Sequence, residues 1–251
     1  MFPTLQIGPL AIQTPGLVLI LGLWIGLSLS EKAAPRHGVD PGDVYNLAFI
    51  SLIAGIVGAR LSFAFEYPDA FTNNLASLIS LNPSLLDPWG GAAIGLIAAI
   101  IYGFRKKMRF WQTLDAYVPA LAVFGVALGV AHLASGDAFG MPTTEPWGIQ
   151  LWGARRQPVQ LYEILLALTI FGIIYLRLGR QRTYPPGVLF LTYITMAAGA
   201  RLFLEAFRGD SLLVMGGFRA AQILSWGVLA ASLGGISYLK RAQPHAQDTL
   251  S

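Results

Sequence analysis

The sequence predicts an all-α polytopic membrane protein of seven transmembrane helices, with its N-terminus outside and its C-terminus inside. Three observations carry this. The 251 residues are 55% hydrophobic and only 12% charged, against roughly 25% charged in an ordinary soluble domain, and the mean hydropathy is +0.58. Seven apolar stretches, most of about 16 to 23 residues, approach the roughly 20 that cross a hydrocarbon core. The lysines and arginines crowd into alternate connections between them.

In chain order the stretches are 15–30, 44–66, 89–104, 116–135, 160–178, 187–206 and 219–239. Gly and Pro punctuate them, which membrane helices tolerate. If the first runs inward, the cytoplasmic segments hold Lys32, Arg36, Arg105, Lys106, Lys107, Arg109, Arg177, Arg180, Arg182, Lys240 and Arg241 out of 17 basic residues. The outer side holds Arg155, Arg156, Arg208 and Arg219. That asymmetry follows the positive-inside rule and sets the expected direction. The first 14 residues carry no basic n-region and no small-residue cleavage site follows, so the first span is expected to stay as an anchor. The two longer outer-side loops, 68–88 and 136–158, make the outer face the expected working face. Residues 1–241 are expected to form a single membrane domain and 242–251 a disordered cytoplasmic tail.

The chain has no cysteine, which excludes disulfides, thiolate metal sites and a cysteine nucleophile of its own. A protein of this kind that acts on a cysteine finds it on a partner. No metal site or cofactor is expected, and the net charge of +4 follows from topology, with no nucleic-acid partner implied.

Charges inside the spans are costly and mark candidate sites. Arg201 and Glu205, four residues apart, share one helical face. Arg60 lies roughly 24 Å above the cytoplasmic end of span two, His132 roughly 24 Å up span four and Arg201 roughly 21 Å up span six, at 1.5 Å per residue. Gln160, Tyr162 and Glu163 open span five at the outer side, and Trp89, Gly90 and Gly91 open span three. Arg60 also suits snorkelling to the interface, Arg201 and Glu205 a structural ion pair, and Tyr162 and Glu163 a simple interfacial position. Their common depth favours a shared polar cavity among membrane lipids near the outer headgroups. The planar guanidinium fork of arginine suits a phospholipid phosphate there.

Several motifs extend this reading. They are Ile7-Gly8-Pro9-Leu10-Ala11-Ile12 with Gly16, Gly58-Ala59-Arg60 with Tyr67, Asp115 with Pro119, and Gly136-Asp137-Ala138-Phe139-Gly140. Arg156-Gln157-Pro158-Val159-Gln160-Leu161-Tyr162-Glu163 follows, then Arg201, Glu205, Phe207, Arg208 and Asp210, and Gln222-Ile223-Leu224-Ser225. In this order, over nearly the whole chain, they resemble the bacterial prolipoprotein diacylglyceryl transferases. The resemblance implies a seven-span enzyme of the bacterial cytoplasmic (inner) membrane. It would move the diacylglyceryl group of phosphatidylglycerol to the thiol of a lipobox cysteine on a preprolipoprotein, giving a thioether and glycerol 1-phosphate. On that reading His132, Asp137 and Glu205 are the catalytic candidates, with His132 or Asp137 as the base. Arg201, Arg60, Gln160, Tyr162, Gly136 and Gly140 would bind substrate, with Arg201 on the phosphate.

The chain also departs from the family pattern. Gly129 stands at the signature arginine, His132 and Ser135 at the two signature asparagines, and Trp89 at the histidine of H-G-G. Gln157 stands at the histidine of R-H-P, and Pro15 at a tyrosine before Gly16. The alternative is therefore a catalytically inactive or re-purposed member that binds a phospholipid or membrane peptide.

Overall fold

Seven helices long and apolar enough to cross a membrane run through the computed structural model, which describes residues 4–7, 10–69, 86–179, 184–214 and 216–242. They are α1 (Thr14–Ala33), α2 (Pro41–Glu66), α3 (Pro88–Arg105), α4 (Phe110–Ser135), α5 (Val159–Gly179), α6 (Val188–Glu205) and α7 (Ala220–Arg241). Most of the expected loop at 68–88 and nearly all of the expected tail lie outside the described residues. So do Gly8, Pro9, Arg180 and Arg182.

The helix starts follow from local chemistry. Both α2 and α3 begin with Asp-Pro. Asp40 Oδ1 accepts from Gly42 N at 2.8 Å, and Asp87 accepts from Trp89 N at 3.0 Å and Gly90 N at 2.8 Å. Each carboxylate thus satisfies orphan amides of the first turn, while proline occupies a position that needs no N–H. Ser62 Oγ on α2 also donates to Asp87 Oδ2 at 2.6 Å, so the cap ties two helices at their ends. These bonds to its charged form hold the Asp87 carboxyl below its usual range, the Ser62 hydroxyl contributing most.

Small residues set the packing, because helices in lipid gain by close approach and not by hydrophobic exclusion. On α1, a side chain at Gly26 would meet Ala120 Cα of α4 at 2.9 Å, and one at Gly22 would collide with Ala127. On α3, Gly95 faces the Ser51 carbonyl and Gly91 faces Gly55 and Ala59 of α2. Pro119 inside α4 interrupts the ladder. One turn of α1 compensates: the buried Ser30 hydroxyl accepts from Ala120 N at 3.0 Å. Helix α4 starts six residues before the apolar stretch that announced it. Asp115, in that early turn, accepts from Gly187 N at 2.6 Å and Phe190 N at 2.8 Å and so caps α6.

The sequence reading anticipated no strands, yet the described residues form three two-stranded antiparallel hairpins: β1–β2 (Thr4–Ile7, Leu10–Gln13) before α1, β3–β4 (Ile149–Leu151, Ala154–Arg156) between α4 and α5, and β5–β6 (Leu213–Val214, Phe218–Arg219) between α6 and α7. The long 136–158 connection is an ordered platform. Its segment 139–143 is bonded on both edges: Thr143 N to Arg155 O and Gln157 N to Met141 O on one side, Met141 N to Phe207 O and Gly209 N to Phe139 O on the other, each at 2.9 Å.

Candidate functional site

His132 sits in the last turn of α4 and Glu163 in the second turn of α5, where the two helices approach closely. His132 Nδ1 lies 2.8 Å from Glu163 Oε2. Across the groove, in the last turns of α6, Arg201 Nη2 lies 3.4 Å from Glu205 Oε2. The Glu205 side chain is 1% exposed and that of Arg201 39%. Neither Glu205 oxygen has a hydrogen-bond donor among the described residues. Among the described residues Arg201 is the one cation within ion-pair range of this buried carboxylate.

One member of each pair lines a cavity of about 230 Å³ between α4, α5 and α6. Glu163 and Arg201 line it together with Gly125, Leu128, Tyr193 and Leu204. Leu166 separates it from a second cavity of about 310 Å³, walled by Trp147, Tyr162, Phe203 and Phe207. The first is smaller than the roughly 300–1,000 Å³ of pockets that enclose a drug-sized ligand. It has room for a headgroup fragment with its chains left in the bilayer. A larger cavity of about 770 Å³ runs between α1, α2 and α3, but no charged side chain lines it. Size therefore does not locate the chemistry.

The structure brings together some of the expected residues and not others. Of His132, Arg201 and Glu205, only Arg201 lines the α4–α5–α6 cavity, and the other two adjoin it through their partners Glu163 and Arg201. Arg60 is half-buried on α2, and no residue of α2 or α3 lines the α4–α5–α6 cavity. Asp137 has the right height, but its side chain is exposed on the platform. Its carbonyl accepts from the fully buried Gln160 Nε2 at 2.9 Å. Gln160 thus holds the platform to α5, and its Oε1 has no partner among the described residues. Tyr162 donates to Gln157 Oε1 at 3.0 Å and packs edge-on against Phe207 at 5.7 Å.

Gly136 ends α4 at φ 84°, a left-handed turn that glycine takes without strain. Gly140 is buried where any side chain would strike the Gln157 backbone. Both glycines therefore shape the platform. Glu163 was legible in sequence only as an interfacial residue. Its partner lies 31 positions away, and only packing reveals the pair.

Gly129 has a definite environment. A Cβ there would lie 2.9 Å from Ile164 Cγ1, 3.2 Å from Ile164 N and 3.4 Å from Glu163 Cγ. The missing side chain is what lets α5 approach α4 and bring Glu163 to His132.

Arg155, Arg156, Arg208 and Arg219 are taken up by bonds in the platform and in the chain after α6. Arg155 donates to Pro146 O and Gly148 O, and Arg156 to Leu151 O and Gly140 O. Arg208 pairs with Asp210 through two bonds of 2.9 and 2.7 Å, and Arg219 donates to Arg208 O. Among the described residues no group of three or more His, Cys, Asp or Glu side chains sits together as a metal site.

A family model described as prolipoprotein diacylglyceryl transferase matches residues 3–238. Among curated relatives, the phosphatidylglycerol–prolipoprotein diacylglyceryl transferase of Synechococcus elongatus (strain ATCC 33912 / PCC 7942 / FACHB-805) is 32% identical over 262 residues, covering 96% of this chain and 90% of its own. Its namesake in Nostoc sp. (strain PCC 7120 / SAG 25.82 / UTEX 2576) is 30% identical over 97% of this chain and 93% of its own. That of Clostridioides difficile (strain 630) is 30% identical over 88% and 87%.

Proposed function

The chain belongs to the prolipoprotein diacylglyceryl transferase family, and from that membership we propose that it transfers diacylglycerol from phosphatidylglycerol to a lipobox cysteine of a lipoprotein precursor. The observation that carries this reading is that two acid–base couples, His132–Glu163 and Arg201–Glu205, each send one member, Glu163 and Arg201, into the lining of one small cavity. The relatives' names specify phosphatidylglycerol and a prolipoprotein as their substrates. Their bacterial sources, the seven spans and the basic connections support the bacterial inner membrane, with the cavity near the outer leaflet.

The chemistry needs a base for the thiol and a counter-charge for the leaving phosphate. With His132 Nδ1–H donating to Glu163, Nε2 carries the free lone pair. The precursor's sulfur bonds to the glyceryl methylene, and the thiol proton passes to Nε2. The carbon–oxygen bond to phosphate breaks and its electron pair leaves on the phosphate oxygen, giving glycerol 1-phosphate. Arg201, oriented by Glu205, offers its fork to that oxygen. Asp137 is the less favoured base because its side chain is exposed and does not line the cavity. Gln160, Gly136 and Gly140 act by holding the platform, and Tyr162 by lining the second cavity. Arg60 would meet lipid at a separate place, on the α2–α3 pair.

One observation favours the second reading, a member that binds phospholipid without turning it over. Gly129, which stands at the family's signature arginine, is closed off by Ile164 and Glu163. The cavity lining then holds one permanent cation, Arg201. The deciding assay reconstitutes the full-length protein with phosphatidylglycerol and a lipobox peptide and weighs the peptide. A gain of one diacylglyceryl group supports the transferase. Folded protein that leaves the peptide unmodified supports the binding reading.

A further inference from the structure

The basic end of the bundle holds a second built feature, unrelated to the paired couples. A cavity of about 340 Å³ opens there between α1, α4 and α5. Its floor is apolar: Ile174 is 1% exposed, and Phe171, Tyr175 and Leu178 form one wall. Two cations, Lys32 and Arg36, stand at its rim, and no carboxylate lines it. Arg36 is held across the mouth because its Nη1 donates to the Leu178 carbonyl, one of the last carbonyls of α5 without an intrahelical partner. That bond uses one of five guanidinium N–H groups and leaves four others to donate. Lys32 makes no hydrogen bond or ion pair within the described residues. Glu31, its acidic neighbour in sequence, is not part of the lining.

We infer that this cavity binds one anionic phospholipid of the leaflet at the basic end, its headgroup phosphate between Lys32 and Arg36 and the start of one acyl chain against Phe171, Ile174 and Leu178. Charge complementarity selects the occupant. Two cations with no carboxylate suit a headgroup of net negative charge, and an apolar floor within the last turns of two membrane spans suits a chain. The lipid bridges α1 and α5, which both pack on α4, so it acts as a clamp between them. The inference rests on the bundle and its basic end, and stands apart from the transferase reading.

The test uses full-length protein freed of lipid in a neutral detergent. Native mass spectrometry follows the binding of phosphatidylserine, which is not the proposed donor, and of phosphatidylcholine with the same chains. One phosphatidylserine is expected to bind preferentially, and Lys32→Gln is expected to weaken it about fivefold. Lys32→Arg is expected to restore binding. Lys32 is exposed and makes no hydrogen bond or ion pair among the described residues, so this variant reads the site with the fold kept. Arg36→Gln, which also gives up the Leu178 bond, serves as a second measurement. Equal binding of the two lipids, or no effect of Lys32→Gln, overturns the proposal. Displacement of phosphatidylserine by millimolar inorganic phosphate also overturns it, because the chain would then have no part.

Discussion

His132 Nδ1 lies 2.8 Å from Glu163 Oε2, joining the last turn of α4 to the second turn of α5 beside Arg201. If this couple takes the thiol proton, His132→Ala is expected to lower diacylglyceryl transfer by about 10²–10⁴-fold. Glu163→Gln, which keeps an acceptor oxygen but loses the charge, should cost less and act on kcat with KM little changed. Single-turnover transfer to a lipobox peptide measures both. Full activity in His132→Ala moves the role of base elsewhere, with Asp137→Asn the next variant to assay.

Arg201 and Glu205 have unequal exposure, and that predicts unequal consequences. Arg201→Ala strands a buried carboxylate, which costs roughly 3–5 kcal/mol when a buried pair is broken. Thermal unfolding in detergent should show a large drop. The double variant Arg201→Ala/Glu205→Gln should recover most of that stability and none of the lipid turnover. Recovery of both would remove Arg201 from the phosphate.

Restoring the family's arginine at Gly129 is expected to harm the protein. The Cβ alone would press on Ile164, including its backbone nitrogen at 3.2 Å, and overpacking of this kind costs about 1–3 kcal/mol. Gly129→Arg should therefore unfold at lower temperature than the parent and gain no activity, as read by thermal shift and peptide labelling. Adding Ile164→Ala relieves only the side-chain part of the clash, so a partial return of stability is expected.

The Asp87 cap gives a pH dependence whose sign is fixed. Its carboxyl is held below its ordinary value of 3.8 by Ser62 first and by the α3 amides. Its contribution is then fully present above pH 3.8 and is lost as pH falls through the lower folded value. The stability difference between the parent and Asp87→Asn should be constant near neutrality and shrink below about pH 4. A difference that grows on acidification contradicts the assignment.

Composition and length sufficed for the seven spans, because a lipid solvent requires every crossing to announce itself as an apolar run. They underestimated α4, whose first turns carry Gln112 and Asp115 and so look like a connection, yet Asp115 is spent on capping α6. Depth was legible and direction around the helix was not. A rise per residue gave Arg60, His132 and Arg201 one height, but packing against neighbours fixes azimuth. Packing turned Arg201 into the α4–α5–α6 cavity, set His132 against Glu163 of its lining and left Arg60 outside it, on α2. The platform hairpins are three residues or fewer per strand, too short for alternation to register. The outer arginines, which run against the charge asymmetry, are explained by the carbonyls and the one carboxylate they bind.

Segment 139–143, bonded on both edges to the strand before α5 and the chain after α6, joins the end of α4, the start of α5 and the end of α6 as one mechanical unit. Its amides should exchange with solvent together and slowly, as a single cooperative block. A capped bundle of this kind cannot spread its tips to admit a bulky precursor from above. On the function proposed above, traffic to the Arg201 cavity would then come sideways, between helices and out of the bilayer itself.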